Sequence, residues 1–282
     1  MEFLITISDS YSEPVLLLMY SVYRNMGEGH EFYFIHKNIS KENQKRIREY
    51  AEQKCKAEVN FVQYSDERFS LLPLYGVWSE EIYYRLFAAH LLPDVNKVVY
   101  LDGDTLITGN LDKAWKDGTL NNYCLGAVAN DIQQEHKLRL ELPDNATYIN
   151  SGVLFMNLHR IRSMYSLQDI WDSLIQLRSK LKFPDQDYIN LVFQKEICLL
   201  DIQYNYMINV TERSKDYPRI RKYKICHFVL SKPWNDEFLF KTDLKYLWYL
   251  FESGKRMKAV ALLYQHRKRR WKTKIKSFLK LR

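Results

Sequence analysis

A chain of 282 residues with 46% apolar and 27% charged side chains suits one large α/β domain or two small ones. Its formal charge of +8 is uneven, because residues 267–282 hold nine Lys and Arg and no acid, which leaves the rest close to neutral. A neutral body with a basic end argues against a nucleic-acid binder, whose charge sits on a folded face, and for a terminal electrostatic anchor.

In chain order, residues 3–8 read as a strand and 11–25 as an amphipathic helix begun near Pro14. Residues 30–36 form a second strand, and Ser40 caps a polar helix running to about Lys54. A third strand covers 58–62. After a turn-rich stretch with Pro73 and Gly76, Ser79 caps the helix SEEIYYRLFAAHLL, with Glu80 and Glu81 in its first turn. Strands follow at 97–101, 123–129 and 149–157, then a long helix over 161–180 and a shorter one over 185–193. A late strand is expected over 222–228 and an amphipathic helix over 242–266. Strands alternating with helices predict a parallel α/β sheet, which binds ligands beyond the carboxyl ends of its strands.

Several chemistries are disfavoured at once. The nine glycines form neither G-x-G-x-x-G nor G-x-x-x-x-G-K-[ST], which weakens a dinucleotide or P-loop site. The four cysteines make no C-x-x-C and read as reduced, mostly buried thiols of a cytoplasmic protein. No signal peptide is evident, and the apolar run 15–22 is too short to span a bilayer.

The stretch KVVYLDGDTLITGNL stands out, since an apolar strand runs into Asp102-Gly103-Asp104. Aspartates at i and i+2 of an extended segment project to one side, where their oxygens can share a hard cation such as Mg²⁺ or Mn²⁺. Gly103 permits a tight turn and close approach to a ligand. The plainer account is a solvated Asp-Gly turn, and the chain has a second D-x-D at Asp185-Gln186-Asp187. Three more segments raise the odds: YINSGVLFMNL with Asn150, Ser151 and Gly152; FPDQDYIN with Asp185 and Gln186; and ICHFVLSKPW with His227, Lys232 and Trp234.

The order Y-x-R-L, V-V-Y-L-D-x-D, N-x-G-V-L, D-Q-D-x-x-N, H-F…K-P-W resembles glycosyltransferase family 8, over residues 3 to about 234. The resemblance implies a GT-A-type, Rossmann-like mixed sheet flanked by helices. It places one catalytic domain over 1–240 and a C-terminal helix with a basic amphipathic tail over 241–282. It also implies a retaining, Mn²⁺-dependent transfer (Mg²⁺ being the alternative) of glucose or galactose from a UDP-sugar to a saccharide acceptor, glycan or lipid-linked.

By the same resemblance Asp102, Asp104 and His227 hold the metal, a neutral imidazole being an acceptable third ligand. Asp185 and Gln186 lie nearest the reacting carbon. Asp185 would bond sugar hydroxyls, while the Gln186 carbonyl dipole stabilises a developing oxocarbenium by front-face displacement. Donor contacts are expected from Thr6, Ser8, Ser10 and Tyr11 in the first strand-turn, and from Arg85, Asp102, Gly103, Asp104, Asn150, Ser151 and Lys232. Asp131, or its neighbour Asn130, joins them after the strand that ends near 129.

The chain departs from the family in two places. The pattern H-x-x-G-x-x-K-P-W is here H-F-V-L-S-K-P-W, one residue shorter and without the glycine, so Lys232 is either a diphosphate contact or an ordinary surface lysine. The first turn carries Ser8-Asp9-Ser10 before Tyr11, where the family shows an acid and an asparagine, so the nucleobase preference is open.

Two other readings compete. A haloacid-dehalogenase-like phosphohydrolase also sets D-x-D after an apolar strand, but needs a threonine two residues after the second acid, where Leu106 stands. A non-catalytic nucleotide-sugar binder is the second. In the tail, Trp271, Ile275, Phe278 and Leu279 recur at helical spacing among lysines. This predicts peripheral attachment to an anionic membrane surface, on the cytoplasmic face, through 267–282.

Overall fold

The computed structural model describes residues 1–76, 78–208, 222–229, 232–234 and 244–264. The basic tail therefore lies outside the described residues. Strand and helix alternate through β1 (Glu2–Thr6), α1 (Pro14–Met26), β2 (Glu31–His36), α2 (Lys41–Tyr50), β3 (Glu58–Gln63), α3 (Glu81–Leu91) and β4 (Lys97–Leu101). Then come β5 (Thr105–Ile107), α4 (Asp112–Trp115), β6 (Leu125–Ala129), α5 (Gln134–Arg139) and β7 (Ile149–Asn157). The remainder comprises α6 (Leu158–Met164), α7 (Leu167–Leu177), α8 (Pro184–Val192), β8 (Ile197–Leu200), β9 (Tyr206–Met207), β10 (Ile225–His227) and α9 (Leu244–Glu252).

Seven strands form one sheet in the order β3-β2-β1-β4-β7-β6-β8. β1 pairs parallel with both β2 and β4, and β2 parallel with β3. β7 runs antiparallel to β4 and β6, so the sheet is mixed rather than parallel throughout. The reason is local. A parallel β7 would need a crossover back to the start of β6, whereas residues 130–148 fold back at its carboxyl end around the short α5. A second sheet, β5-β10-β9, was not foreseen. Its strands are two or three residues long; β10 falls within the late strand expected over 222–228, but its pairing with β5 spans more than a hundred positions, which no local pattern announces.

The period-2 alternation sends neighbouring strand residues to opposite sides of the main sheet. Leu4, Val98, Tyr100 and Leu154 join one apolar layer with the inward faces of α3 and α7. Phe3, Ile5, Val99, Leu101 and Phe155 join the other, with Val15, Leu18 and Met19 of α1. β4, buried on both faces, is held from each side, and its carboxyl end is correspondingly fixed.

Four expected boundaries shift, each for a visible reason. The helix over 161–180 is two helices: Tyr165 is extended, and Ser166 restarts the chain with a reciprocal capping box to Asp169. α6 itself begins at Leu158, capped by the Asn157 side chain. Ser79 does not cap α3, which starts at Glu81 with no side-chain cap; Glu80 is instead pinned by Lys37 at 2.8 Å. The helix over 242–266 breaks after α9, where Gly254 takes a positive φ of 88° and Lys255 N–H bonds Leu250 O, before a further helical stretch over 256–264. Ser40 does cap α2, accepting from Asn43 N. All four cysteines are free; Cys55, Cys124 and Cys226 are buried and Cys198 half-buried.

Candidate active site

β4 ends at Leu101, and the chain turns at once through Gly103 and Asp104 into β5. The two acids are thus brought together by a turn and not, as the sequence suggested, by the pleat of one extended strand. The turn is fixed by its backbone: Thr105 N–H and its hydroxyl both bond Asp102 O, at 3.1 and 2.8 Å. Phe228 N–H bonds Asp104 O at 3.0 Å, which ties the turn to the end of β10. Gly103 is required by crowding, since a Cβ there would stand 2.9 Å from Cδ1 of Tyr11.

His227, the last residue of β10, closes a cluster with both acids. One ligand atom from each of Asp102, Asp104 and His227 lies within 4.8 Å of the others. His227 Nε2 is 3.2 Å from Asp104 Oδ1 and 3.7 Å from Asp102 Oδ2. Asp104 Oδ1 is buried and faces only the His227 ring, off the line of a good hydrogen bond, an arrangement that a shared cation would complete. Gly152 on β7 forms the floor, where a Cβ would stand 2.6 Å from Asp102 Oδ2 and collide with the His227 ring. Two carboxylates, one imidazole and a glycine cradle fit a divalent cation of the Mn²⁺ or Mg²⁺ type.

Lys232 belongs to this cluster despite the shortened loop. Its ammonium rests on Asp104 Oδ2 and donates to Phe228 O at 2.7 Å, so it is no ordinary surface lysine. Burial pushes the Asp104 carboxyl up, but the charges of His227 and Lys232 outweigh it and hold the group well below the usual carboxylate range.

Arg85 projects from α3 into the core and is only 5% exposed. Its guanidinium spans two acids, 2.9 Å from Asp102 Oδ1 and 3.2 Å from Asp185 Oδ2, and donates to Ser151 O at 2.8 Å. It also lies over the Tyr100 ring at 4.2 Å. Tyr100 in turn donates to Asp102 Oδ1 at 2.6 Å and meets Thr6 Oγ1 at 3.1 Å. Thr6, expected to face a donor, is therefore engaged in holding Tyr100. For Asp185, burial raises the carboxyl above its ordinary range and exceeds what Arg85 takes back.

Asp185 and Gln186 open α8, and both are buried. Gln186 Oε1 accepts from Asn150 Nδ2 at 2.8 Å and Ser151 N at 3.2 Å, and its Nε2 donates to Tyr148 OH at 3.0 Å. Asp187 is a structural hub with no exposure at all. It accepts from Tyr148, Arg139 and the backbone of Lys182 and Phe183, and meets the His136 ring. The second D-x-D is therefore a helix start whose two acids serve different sites.

The first turn is split. Tyr11 lies against Gly103 and edge-on to Trp234, and burial, with the charges of Asp104 and Asp102, pushes its phenol up to about 12. Ser8 and Ser10 bond each other at 3.0 Å. Asp9 faces away, accepting from Ser40 N and Asn43 Nδ2 at the start of α2. Asp131 is exposed beyond the end of β6.

Two residues escaped sequence reasoning. Gly152 was noted only as part of a motif, and Asn205 was not noted at all. Asn205 is fully buried and joins His227 Nδ1, at 3.1 Å, to Asn150 Oδ1, at 2.8 Å. It sits between a one-turn helix and a two-residue strand, where nothing local marks it.

The family model for glycosyl transferase family 8 matches residues 3–237. The chain belongs to this family. It is similar to the lipopolysaccharide 1,2-glucosyltransferase of Escherichia coli K12, 26% identical over 191 residues, which is 63% of this chain and 56% of that protein. General stress protein A of Bacillus subtilis is 24% identical over 248 residues, 80% of this chain and 85% of that one. The chain thus spans little more than half of the first of these relatives. Among solved structures, galactosyltransferase LgtC in complex with donor and acceptor sugar analogs superposes with a TM-score of 0.75 at 22% identity, over 90% of this chain and 96% of that one. GlyE of Streptococcus pneumoniae gives 0.64 at 19% identity, over 94% and 62%. The architecture is the GT-A-type α/β fold. Among the described residues no helix is long and apolar enough to cross a membrane.

Proposed function

We propose that this chain is a retaining hexosyltransferase that moves glucose or galactose from a UDP-sugar to a saccharide acceptor, with Mn²⁺ or Mg²⁺ held by Asp102, Asp104 and His227. The observation that carries this is the convergence of those three side chains on one point, with a buried Asp104 oxygen that faces only the His227 ring. A cation there supplies positive charge to a departing diphosphate, the group on which the reaction deposits its electrons.

The chain's own residues divide the remaining work. Lys232, beside Asp104, adds a second positive charge for diphosphate oxygens. Tyr11 offers a ring to the nucleobase, and Ser8 and Ser10 offer hydroxyls near it. Arg85 binds no oxygen of the sugar directly in this scheme; it holds Asp102 and Asp185 in register. Asp185 accepts from sugar hydroxyls, and the Gln186 amide, a poor nucleophile, favours front-face displacement over a stable covalent intermediate. Trp78 packs edge-on against Phe183 at the mouth of α8, an exposed aromatic pair suited to the apolar face of an acceptor sugar. The lipopolysaccharide glucosyltransferase relatives favour a lipid-linked acceptor, which the basic segment 267–282 would meet at an anionic membrane surface.

A panel of UDP-hexoses incubated with and without Mn²⁺, scored by release of UDP, tests the proposal. One donor should turn over, chelation should stop it, and alanine at both Asp102 and Asp104 should reduce it by about 1,000-fold or more. Undiminished transfer by that double variant would overturn the metal-assisted reading. Turnover of a generic phosphate ester, with none of any nucleotide sugar, would favour a hydrolase.

A further inference from the structure

Which nitrogen of His227 carries its proton is decided by a chain of hydrogen bonds whose polarity starts at a backbone group. Gly152 N–H can only donate, and it points at the Asn150 side chain at 3.0 Å, so the atom facing it is the Asn150 oxygen. Ser151 N–H likewise fixes the oxygen of Gln186, to which the Asn150 nitrogen donates at 2.8 Å. Both ends of the Asn150 amide are thereby set. Asn205 approaches the Asn150 oxygen at 2.8 Å and must present its NH₂ group there. Its own oxygen then faces His227 Nδ1 at 3.1 Å, and Nδ1 must be the protonated nitrogen. Nε2, the atom 3.2 Å from Asp104 and 3.7 Å from Asp102, is then the nitrogen whose proton a cation displaces.

We propose that Asn205 is the positioning residue that locks His227 as its Nδ1–H tautomer and so presents Nε2 to the cation shared with Asp102 and Asp104. This rests on the metal-dependent transferase proposed above. Metal-bound histidines regularly donate their second ring N–H to such a partner, which fixes ring orientation and strengthens the ligand. The same chain continues from Gln186 through Tyr148 to Asp187, so the amide expected beside the reacting carbon and the imidazole of the cation site share one hydrogen-bond network. Asn205 is fully buried and has no route to a substrate, which separates a positioning role from direct contact.

The test uses the full chain, Mn²⁺ titration followed by electron paramagnetic resonance, and nitrogen-15 NMR of the metal-free imidazole. At a pH where the ring is neutral, wild-type protein should show His227 as the Nδ1–H tautomer. Asn205→Leu should bind Mn²⁺ about 10- to 100-fold more weakly, whereas Asn205→Asp, which keeps an acceptor toward Nδ1 but loses the donor to the Asn150 oxygen, should bind more tightly than Asn205→Leu. An Nε2–H tautomer in wild type, or unchanged Mn²⁺ affinity in folded Asn205→Leu, overturns the role of Asn205. Should Asn205→Leu fail to fold, the wild-type tautomer decides. Absence of Mn²⁺ binding by wild-type protein overturns the cation reading instead, and the tautomer still reports on Asn205 alone.

Discussion

Gly152 is the residue that lets His227 approach Asp102. Any Cβ at this point of β7 would collide with the imidazole and stand 2.6 Å from the Asp102 oxygen. Its neighbours are the buried His227 ring and the carboxylate that follows β4. Gly152→Ala should therefore cost about 1–3 kcal/mol by overpacking and weaken Mn²⁺ binding by about 100-fold or more. Denaturant unfolding and metal titration measure the two effects separately; tight metal binding by the variant would refute the crowding described.

Arg85 is the sole cation bonded to both Asp102 and Asp185 among the described residues. Arg85→Met leaves two carboxylates without that charge and should destabilise the fold by about 3–5 kcal/mol. Arg85→Lys keeps the charge but not the planar fork, and should recover part of the stability with little of the activity. Urea unfolding of the three proteins, beside UDP release, is the measurement. Equal stabilities would show that the acids find compensation elsewhere.

Asp185 gives a pH dependence of definite sign. Burial lifts its carboxyl above the ordinary value of 3.8, in spite of Arg85, so the folded protein binds this proton more tightly than the unfolded chain does. The stability it contributes is fully present below the unfolded value and is lost as pH rises through the raised folded value. The unfolding free energy of wild type minus that of Asp185→Asn should thus fall as pH climbs from about 3 toward neutrality. A difference that grows over the same range would contradict the burial argument.

Tyr148 joins Gln186 to Asp187, accepting from one at 3.0 Å and donating to the other at 2.5 Å. Tyr148→Phe strands the Gln186 N–H and removes a donor from the buried Asp187, at a cost of about 1–3 kcal/mol. Loosening an amide beside the reacting carbon should lower kcat by about 10- to 100-fold with little change in KM for the donor. Steady-state kinetics separates this from a purely structural loss, which would leave the turnover of the folded fraction intact.

The basic tail is tested by removal. Deleting residues 267–282 takes away nine Lys and Arg, each worth about 1 kcal/mol near an anionic surface. Sedimentation with phosphatidylserine vesicles should lose the protein, while hydrolysis of the donor sugar continues. Vesicle binding that survives the deletion would place the anchor elsewhere.

Much of this molecule was legible before its structure. β4 and β7 have the bounds their apolar runs indicate, and the D-x-D lies at the strand end where α/β folds place ligands. Such features are written in residues one or two turns apart, where periodicity and capping act. The long helix over 161–180 failed on the same scale, because Ser166 and Asp169 offer the backbone a new start that outweighs continuing.

What the sequence alone could not decide is which distant side chains meet. Arg85 was expected to contact the donor and is a buried bridge between two acids, and Lys232 read as ambiguous and sits on Asp104. Asn205 carried no signal, since its partners come from β7 and β10 and their spacing follows from how two sheets pack. Local chemistry set the elements and put the acids at a strand end; the convergence of Asp102, Asp104 and His227 was set by the turn after β4 and by β10 pairing with β5, contacts that no short window of sequence contains.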